Sequence, residues 1–261
     1  MKKKRIMVIN PLGQDTFDAP QKAYLEEAKS DNVEVEVVSL QRGPHHLEYH
    51  YYDALVGIDL LHTIKQAEKE SYDAAVIACF NDPFLYEARE ICHRLVITAP
   101  AQASLQLATV FGDRFSIIVG RNKWIPVMRQ NVYKYGCADK LASFRSLGLG
   151  VLDFHNDESC TLNRLKTEAR KAVEEDGAEV VILGCTAQFG FYKNLQQMLG
   201  APVIDVMLAA FKQAEFFVDL RDHFGWMPSK IGGYETPPIK EIAGWGLEEQ
   251  YGIQGLWTGE K

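Results

Sequence analysis

No stretch of this chain approaches the roughly 20 apolar residues that a membrane-spanning helix requires. The apolar run Ile6 to Ile9, behind the basic start MKKKR, is too short for a signal-peptide core and stops at Asn10-Pro11. No two cysteines have C-x-x-C spacing, and the five present (Cys79, Cys92, Cys137, Cys160, Cys185) are odd in number, which argues against a disulfide framework or a cysteine-rich zinc site. Free thiols are expected. Positive charge is in deficit, with 28 Lys+Arg against 35 Asp+Glu and a formal net charge of −7, so neither nucleic acid nor an anionic membrane is expected as a partner. LGLG (Leu147–Gly150) lacks the third glycine of a dinucleotide loop, and NPLGQD lacks the G-K-[ST] of a P-loop. His46 and His50 form H-x-E-x-H rather than H-E-x-x-H and have no evident third ligand, so no metal is expected. The segment Gly43–Asp53 reads instead as an aromatic loop or lid edging a cleft. These absences leave a soluble, cytoplasmic protein with a small-molecule partner.

What is present is alternation. At 47% hydrophobic, 261 residues can bury a substantial core. β-Branched apolar runs predict strands at Arg5–Asn10, Glu34–Leu40, Ala74–Cys79, Leu95–Thr98, Phe115–Val119, Phe144–Leu147, Val180–Gly184 and Val203–Ile204. Helical patterns lie between them, ending with a long one from Val206 to Asp222. Strands this apolar, alternating with helices, predict an α/β protein whose parallel sheets are covered on both faces. The tail after Gly225, rich in proline and glycine, is expected to be irregular and to wrap the surface.

Two segments echo each other. AAVIACFNDP (Ala74–Pro83) and EVVILGCTAQFG (Glu179–Gly190) each run apolar strand, cysteine, small polar residue and helix, with the cysteines 106 positions apart (185 − 79). The repeat suggests two pseudo-symmetric lobes. Ligands collect at the carboxyl ends of parallel strands, where following helices aim free N–H groups, and both cysteines would sit there. Asn81 or Asp82 is expected to cap the helix after Cys79, with Pro83 at its first position, and Thr186 to act similarly after Cys185. Such helix N-termini would lower the thiol pKa values. If the lobes face each other, one thiol approaches from each side of a cleft, an arrangement suited to removing a proton from one face of a carbon and delivering one to the other. A single cysteine at a strand end is more often packing than chemistry, and Cys92, Cys137 and Cys160 are read that way.

Over nearly its full length the chain resembles the Asp/Glu/hydantoin racemase superfamily, and within it the hydantoin racemase branch. The likeness is carried by VINP (Val8–Pro11), ACFNDPFLYEARE (Ala78–Glu90), GDRFSIIV (Gly112–Val119), VVILGCTA (Val180–Ala187) and APVIDVMLAAFKQAE (Ala201–Glu215). The resemblance implies two facing α/β lobes with the C-terminal helix returning to the first, hence residues 1–99 plus 206–261 as one lobe and 100–205 as the other. It implies a cofactor-independent racemase, a homo-oligomer, and Cys79 and Cys185 as the catalytic acid/base pair. The expected substrate is a small cyclic ureide such as a 5-substituted hydantoin or allantoin. Its expected contacts are Asn10, Gln14, Phe80, Asn81, Gln102, Thr186 and Ala187. The sequence departs from the hydantoin racemase pattern with INPLGQD for INPNT, GCTAQF for GCAGM, and Gln102 where a glutamate is common, all in segments expected to touch the substrate. Aspartate or glutamate racemisation, malonate-type decarboxylation, maleate isomerisation and non-catalytic small-molecule binding stand as alternatives.

Overall fold

The structure, a computed structural model, describes residues 3–257. Eight strands form two sheets: β1 (Lys4–Asn10), β2 (Val33–Ser39), β3 (Ala74–Ile77), β4 (Val96–Thr98), β5 (Phe115–Val119), β6 (Leu141–Ser146), β7 (Val180–Leu183) and β8 (Val203–Asp205). The first sheet has the order β2-β1-β3-β4 and the second β6-β5-β7-β8, both entirely parallel, so the second repeats the first strand for strand. The central strands β3, β5 and β7 are buried on both faces, which is why they read as unbroken apolar runs. Edge strand β2 alternates buried and exposed residues over most of its length, with Glu34 and Glu36 outward.

The helices are α1 (Asp18–Ala28), α2 (His50–Lys69), α3 (Leu85–Ile91), α4 (Pro100–Phe111), α5 (Ile125–Lys134), α6 (Glu158–Glu174), α7 (Tyr192–Leu199), α8 (Val206–Phe224), α9 (Ile239–Gly244) and α10 (Leu247–Gln250). Helix α8 leaves β8 under an Asp205 cap, whose carboxylate accepts the N–H groups of Met207 and Leu208. It then runs along β1, β3 and β4 and packs on α4. Thr98 Oγ1 donates to the Ala210 carbonyl at 2.9 Å, and Arg221 Nη2 meets Asp73 Oδ1 at 2.7 Å, so the last long helix is tied to the first sheet at both ends. One apolar cluster joins Ile6, Val8 and Val76 of the first sheet, Phe115, Ile117 and Val180 of the second, and Met207, Phe211 and Val218 of α8.

The tail differs from the irregular segment expected, because it contains α9 and α10. It also wraps the body. Lys230 donates to the carbonyls of Arg89 (2.6 Å) and Glu90 (2.9 Å), Thr236 donates to Glu90, and Tyr234 packs edge-on against Tyr86.

A second difference lies after Cys79. Neither Asn81 nor Asp82 caps the following helix, and Pro83 does not open it. Asp82 and Phe84 both take left-handed backbone conformations (φ 48° and 57°), and α3 starts only at Leu85. The Asp82 carboxylate instead accepts the N–H groups of Ala101 (2.7 Å) and Gln102 (2.8 Å), capping α4, and the Tyr135 hydroxyl donates to it at 2.9 Å. The turn that carries Cys79 is thereby fastened to the first turn of a different helix.

Candidate active site

Both cysteines follow their strands by two residues, and the backbone around them repeats. Ala78 N–H donates to the Ile9 carbonyl and Gly184 N–H to the Ile118 carbonyl, each at 2.8 Å. Cys79 N–H turns back to Ile77 and Cys185 N–H to Leu183, again at 2.8 Å. The carbonyl of Cys79 accepts from Asp82 N–H at 2.9 Å and that of Cys185 from Gln188 N–H at 3.0 Å. The echo in sequence is therefore one backbone design used twice. Gly184 cannot be exchanged freely, because a Cβ there would stand 2.7 Å from Cγ2 of Ile117 in the core.

The two loops meet. Thr186 Oγ1 donates to the Ala78 carbonyl at 3.0 Å, so the residue after one cysteine is bonded to the residue before the other. Thr186 opens a short 3-10 turn, Thr186–Gln188, and makes no side-chain cap, contrary to expectation. Cys79 and Cys185 are half-buried and line the same cavity of about 70 Å³, several times the space one water needs. Its walls include Leu12, Phe17, Leu47, Trp124, Met128, Val151 and Phe154, and its polar groups are Asn10, Gln21, His46, Glu48, Asn81 and Thr186.

Of the expected contacts, Asn10, Phe80, Asn81, Thr186 and Ala187 line this cavity, whereas Gln14 and Gln102 do not. Gln14 reaches the loop residue His45, donating to its carbonyl at 3.4 Å, and accepts the Thr16 N–H at 2.9 Å. Gln102 accepts from Arg89 Nη2 at 2.7 Å. Asn10 is held by donating to Asp18 Oδ1 (2.8 Å) and Gln21 Oε1 (2.9 Å). Asn81 donates to Asp53 Oδ2 at 3.1 Å, and its carbonyl accepts from Asn131. Of the segment Gly43–Asp53, expected as an aromatic loop or lid, His46, Leu47 and Glu48 line the cavity, whereas none of its tyrosines is among the lining residues and His50–Asp53 form the first turn of α2; His46 is edge-on to Tyr52. Among the described residues there is no cluster of three metal-ligating side chains.

Electrostatics around the thiols run opposite to the expectation from sequence. Burial pushes the Cys79 thiol well above its ordinary value, and the charges of Asp53, Cys185 and Asp82 push the same way against the N–H of Asn81. Burial also pushes Cys185 up to about 12, aided by Glu48 and opposed by the N–H of Ala187. No long helix starts at either cysteine, so the lowering expected from helix N-termini does not arise. Burial lifts the carboxyls of Asp53 and Asp82 too, the latter to about 6.

Sequence reasoning did not single out Glu48 or Asp53. Both carboxylates press on a cysteine, and the only signal for Glu48 was its place inside the H-x-E-x-H segment.

Against known proteins, the family model described as Asp/Glu/Hydantoin racemase matches residues 6–214. The hydantoin racemase of Pseudomonas sp. (strain NS671) is 36% identical over 243 residues, 92% of this chain and 94% of that protein. The hydantoin racemase of Paenarthrobacter aurescens is 34% identical, over 91% and 99%. Among solved structures, the allantoin racemase from Klebsiella pneumoniae is similar at a TM-score of 0.84 and 28% identity, covering 90% of this chain and 94% of that one.

Proposed function

The chain belongs to the Asp/Glu/hydantoin racemase family, and from that premise we propose that it is a racemase of small cyclic ureides using Cys79 and Cys185 as paired acid and base. The observation that carries the reading is that two cysteines on matched loops, one at the carboxyl edge of each sheet, line a single cavity. In the proposed reaction one cysteine, as thiolate, removes the hydrogen from the ring α-carbon. The electron pair of that C–H bond moves onto the adjacent ring carbonyl as an enolate. The other cysteine, as thiol, delivers its proton to the opposite face, and the enolate collapses to the inverted centre. The two cysteines have then exchanged protonation states, which readies the site for the reverse direction. An enolate conjugated with neighbouring amide groups makes this hydrogen acidic enough for transfer between side chains. Backbone N–H groups of Asn81 and Ala187, which already favour negative charge on the two sulfurs, stabilise each thiolate as it forms.

The test follows from the geometry. Serine at either position leaves a hydroxyl far too weakly acidic to replace the thiol, so Cys79→Ser and Cys185→Ser should each lower inversion by orders of magnitude. Each variant should still exchange the α-hydrogen for deuterium in one enantiomer only, with configuration kept, and the two should select opposite enantiomers. NMR in deuterium oxide with chiral chromatography reads both quantities. Inversion surviving in either single variant rejects the two-cysteine mechanism, and carbon dioxide release needing one cysteine alone would support decarboxylation instead.

A further inference from the structure

The two cysteine loops are anchored from behind in the same way. The Asn81 N–H favours negative charge on the Cys79 sulfur and the Ala187 N–H does so for Cys185, each donor belonging to the second residue after its cysteine. Each of these residues is gripped through its own carbonyl by a side chain from a distant segment. Asn131 Nδ2 of α5 donates to the Asn81 oxygen at 2.8 Å, and His155 Nε2 stands 2.8 Å from the Ala187 oxygen. A carbonyl only accepts, so the His155 ring carries hydrogen on Nε2. That ring has little freedom. Its Nδ1 meets Glu158 Oε1 at 2.8 Å, and it lies between Phe189, with centroids 4.7 Å apart, and Phe191, at 5.5 Å with the planes 20° from parallel. Phe154, the residue before it, lines the cavity, whereas His155 does not and acts on the site only through the loop.

We propose that His155 is the positioning residue of the Cys185 half: its Nε2–H grips the Ala187 carbonyl and thereby keeps the Ala187 N–H turned toward the thiolate that forms on Cys185. The role rests on the two-cysteine reading and deepens it. The turn Thr186–Gln188 is short and has no side-chain cap. Gln188 N–H closes it on the Cys185 carbonyl at 3.0 Å, and Thr186 Oγ1 ties it to Ala78 at 3.0 Å. Those bonds hold residues 186 and 188, and His155 supplies the one on residue 187, whose N–H serves the sulfur. A donor aimed at a forming charge has to be held by its surroundings, because a small swing forfeits the bond. A histidine used only as filler between two phenyl rings would need no hydrogen on Nε2, and any apolar side chain of its size would serve.

The experiment labels the full-length protein with iodoacetamide at pH 9 and follows Cys79, Cys185 and Cys92 separately by peptide mass spectrometry. His155→Leu fills the space between the rings without a donor, and His155→Gln restores an N–H near the place of Nε2. Both are uncharged, so the pair isolates the hydrogen bond. In His155→Leu, Cys185 should label roughly tenfold more slowly than in the parent while Cys79 keeps its rate, and His155→Gln should recover most of the loss. Asn131→Leu should give the crossed pattern, with Cys79 slowed and Cys185 unchanged. Cys92, buried in the core, reports loosening of the fold. If His155→Leu labels Cys92 faster than the parent does, His155→Met takes its place. An unchanged or faster Cys185 in the folded apolar variant, equal slowing of both cysteines, or no recovery with glutamine overturns the role of His155. Labelling needs no turnover, so the racemase reading is judged apart from it, by loss of optical rotation of allantoin and 5-benzylhydantoin with the parent protein. A parent that inverts neither ring overturns that reading, while the crossed labelling pattern would still place His155 behind Cys185.

Discussion

At Cys79 and Cys185 burial opposes the ionisation that proton abstraction requires. Both folded-state pKa values lie above the ordinary thiol value of 9.0, Cys185 at about 12. At neutral pH both groups are held as thiols, and the thiolate fraction grows only as pH rises. Iodoacetamide should therefore label these two cysteines slowly at pH 7, faster as pH is raised past 9, and more slowly with substrate bound. Rapid labelling at neutral pH, read by peptide mass spectrometry, would show that the site lowers its thiols after all. Linkage gives a second consequence with a definite sign. The unfolded chain releases the Cys185 proton near 9 while the folded chain keeps it to about 12, so this residue's contribution to stability is complete below pH 9 and is lost between 9 and 12. Urea midpoints measured across that window should drop less in Cys185→Ala than in the parent. None of this was legible in the sequence, where a cysteine before a helix pattern points to a lowered pKa. The raising comes first from burial in a cavity built by segments far apart in the chain, and then from Asp53 beside Cys79 and Glu48 beside Cys185, whose segment carries nothing in its sequence that says where it folds.

Among the elements, the turn after Cys79 owes its shape to Asp82. Its carboxylate takes the first N–H groups of α4 and the Tyr135 hydroxyl, so it joins β3, α4 and the end of α5. Asp82→Ala should cost ~1–3 kcal/mol, seen as a lower urea midpoint at constant m-value, and an unchanged midpoint would show the cap to be dispensable. The eight strands were legible because β-branched runs such as AVIA and VVIL end at residues that stop a strand, and their boundaries moved by three residues or fewer. The start of α3 was not legible. The NDPF pattern reads as a cap followed by a first-turn proline, but Asp82 and Phe84 adopt left-handed conformations and the cap is spent on α4. Phe84 fits there because Gly57 of α2 leaves room for its ring, with a Cβ at that glycine falling 2.6 Å from it. Helices α9 and α10 escaped notice because prolines and glycines break the periodicity around them.

Across the whole molecule, the apolar interior does not divide with the sheets. The cluster around α8 contains strands from both, and a second joins Ile9 and Ile77 of the first sheet to Ile118 and Leu183 of the second. With Thr186 bonded to Ala78 and Asp82 bonded to α4, separating the sheets would expose both clusters at once. Scanning calorimetry should therefore give one transition, with calorimetric and van't Hoff enthalpies equal. Two resolved transitions would mean that the sheets unfold independently. The repeat of Cys79 and Cys185 made two similar halves visible in the sequence, but not the sharing of one interior, which depends on contacts between segments far apart in the chain.

The bond from Thr186 to Ala78 has no counterpart on the other side. The residue after Cys79 is Phe80, which has no hydroxyl, and the residue before Cys185 is Gly184. The near-twofold relation between the halves thus breaks beside the sulfurs. Mirror-image substrates have equal free energies, so the proposed inversion has an equilibrium constant of one, and kcat/KM must be identical in the two directions. A lopsided site can satisfy that identity only by compensation: the enantiomer held more tightly must turn over more slowly by the same factor. Progress curves started from opposite enantiomers would then coincide at low substrate and diverge at saturation, a kinetic handedness inside a reaction that has none at equilibrium.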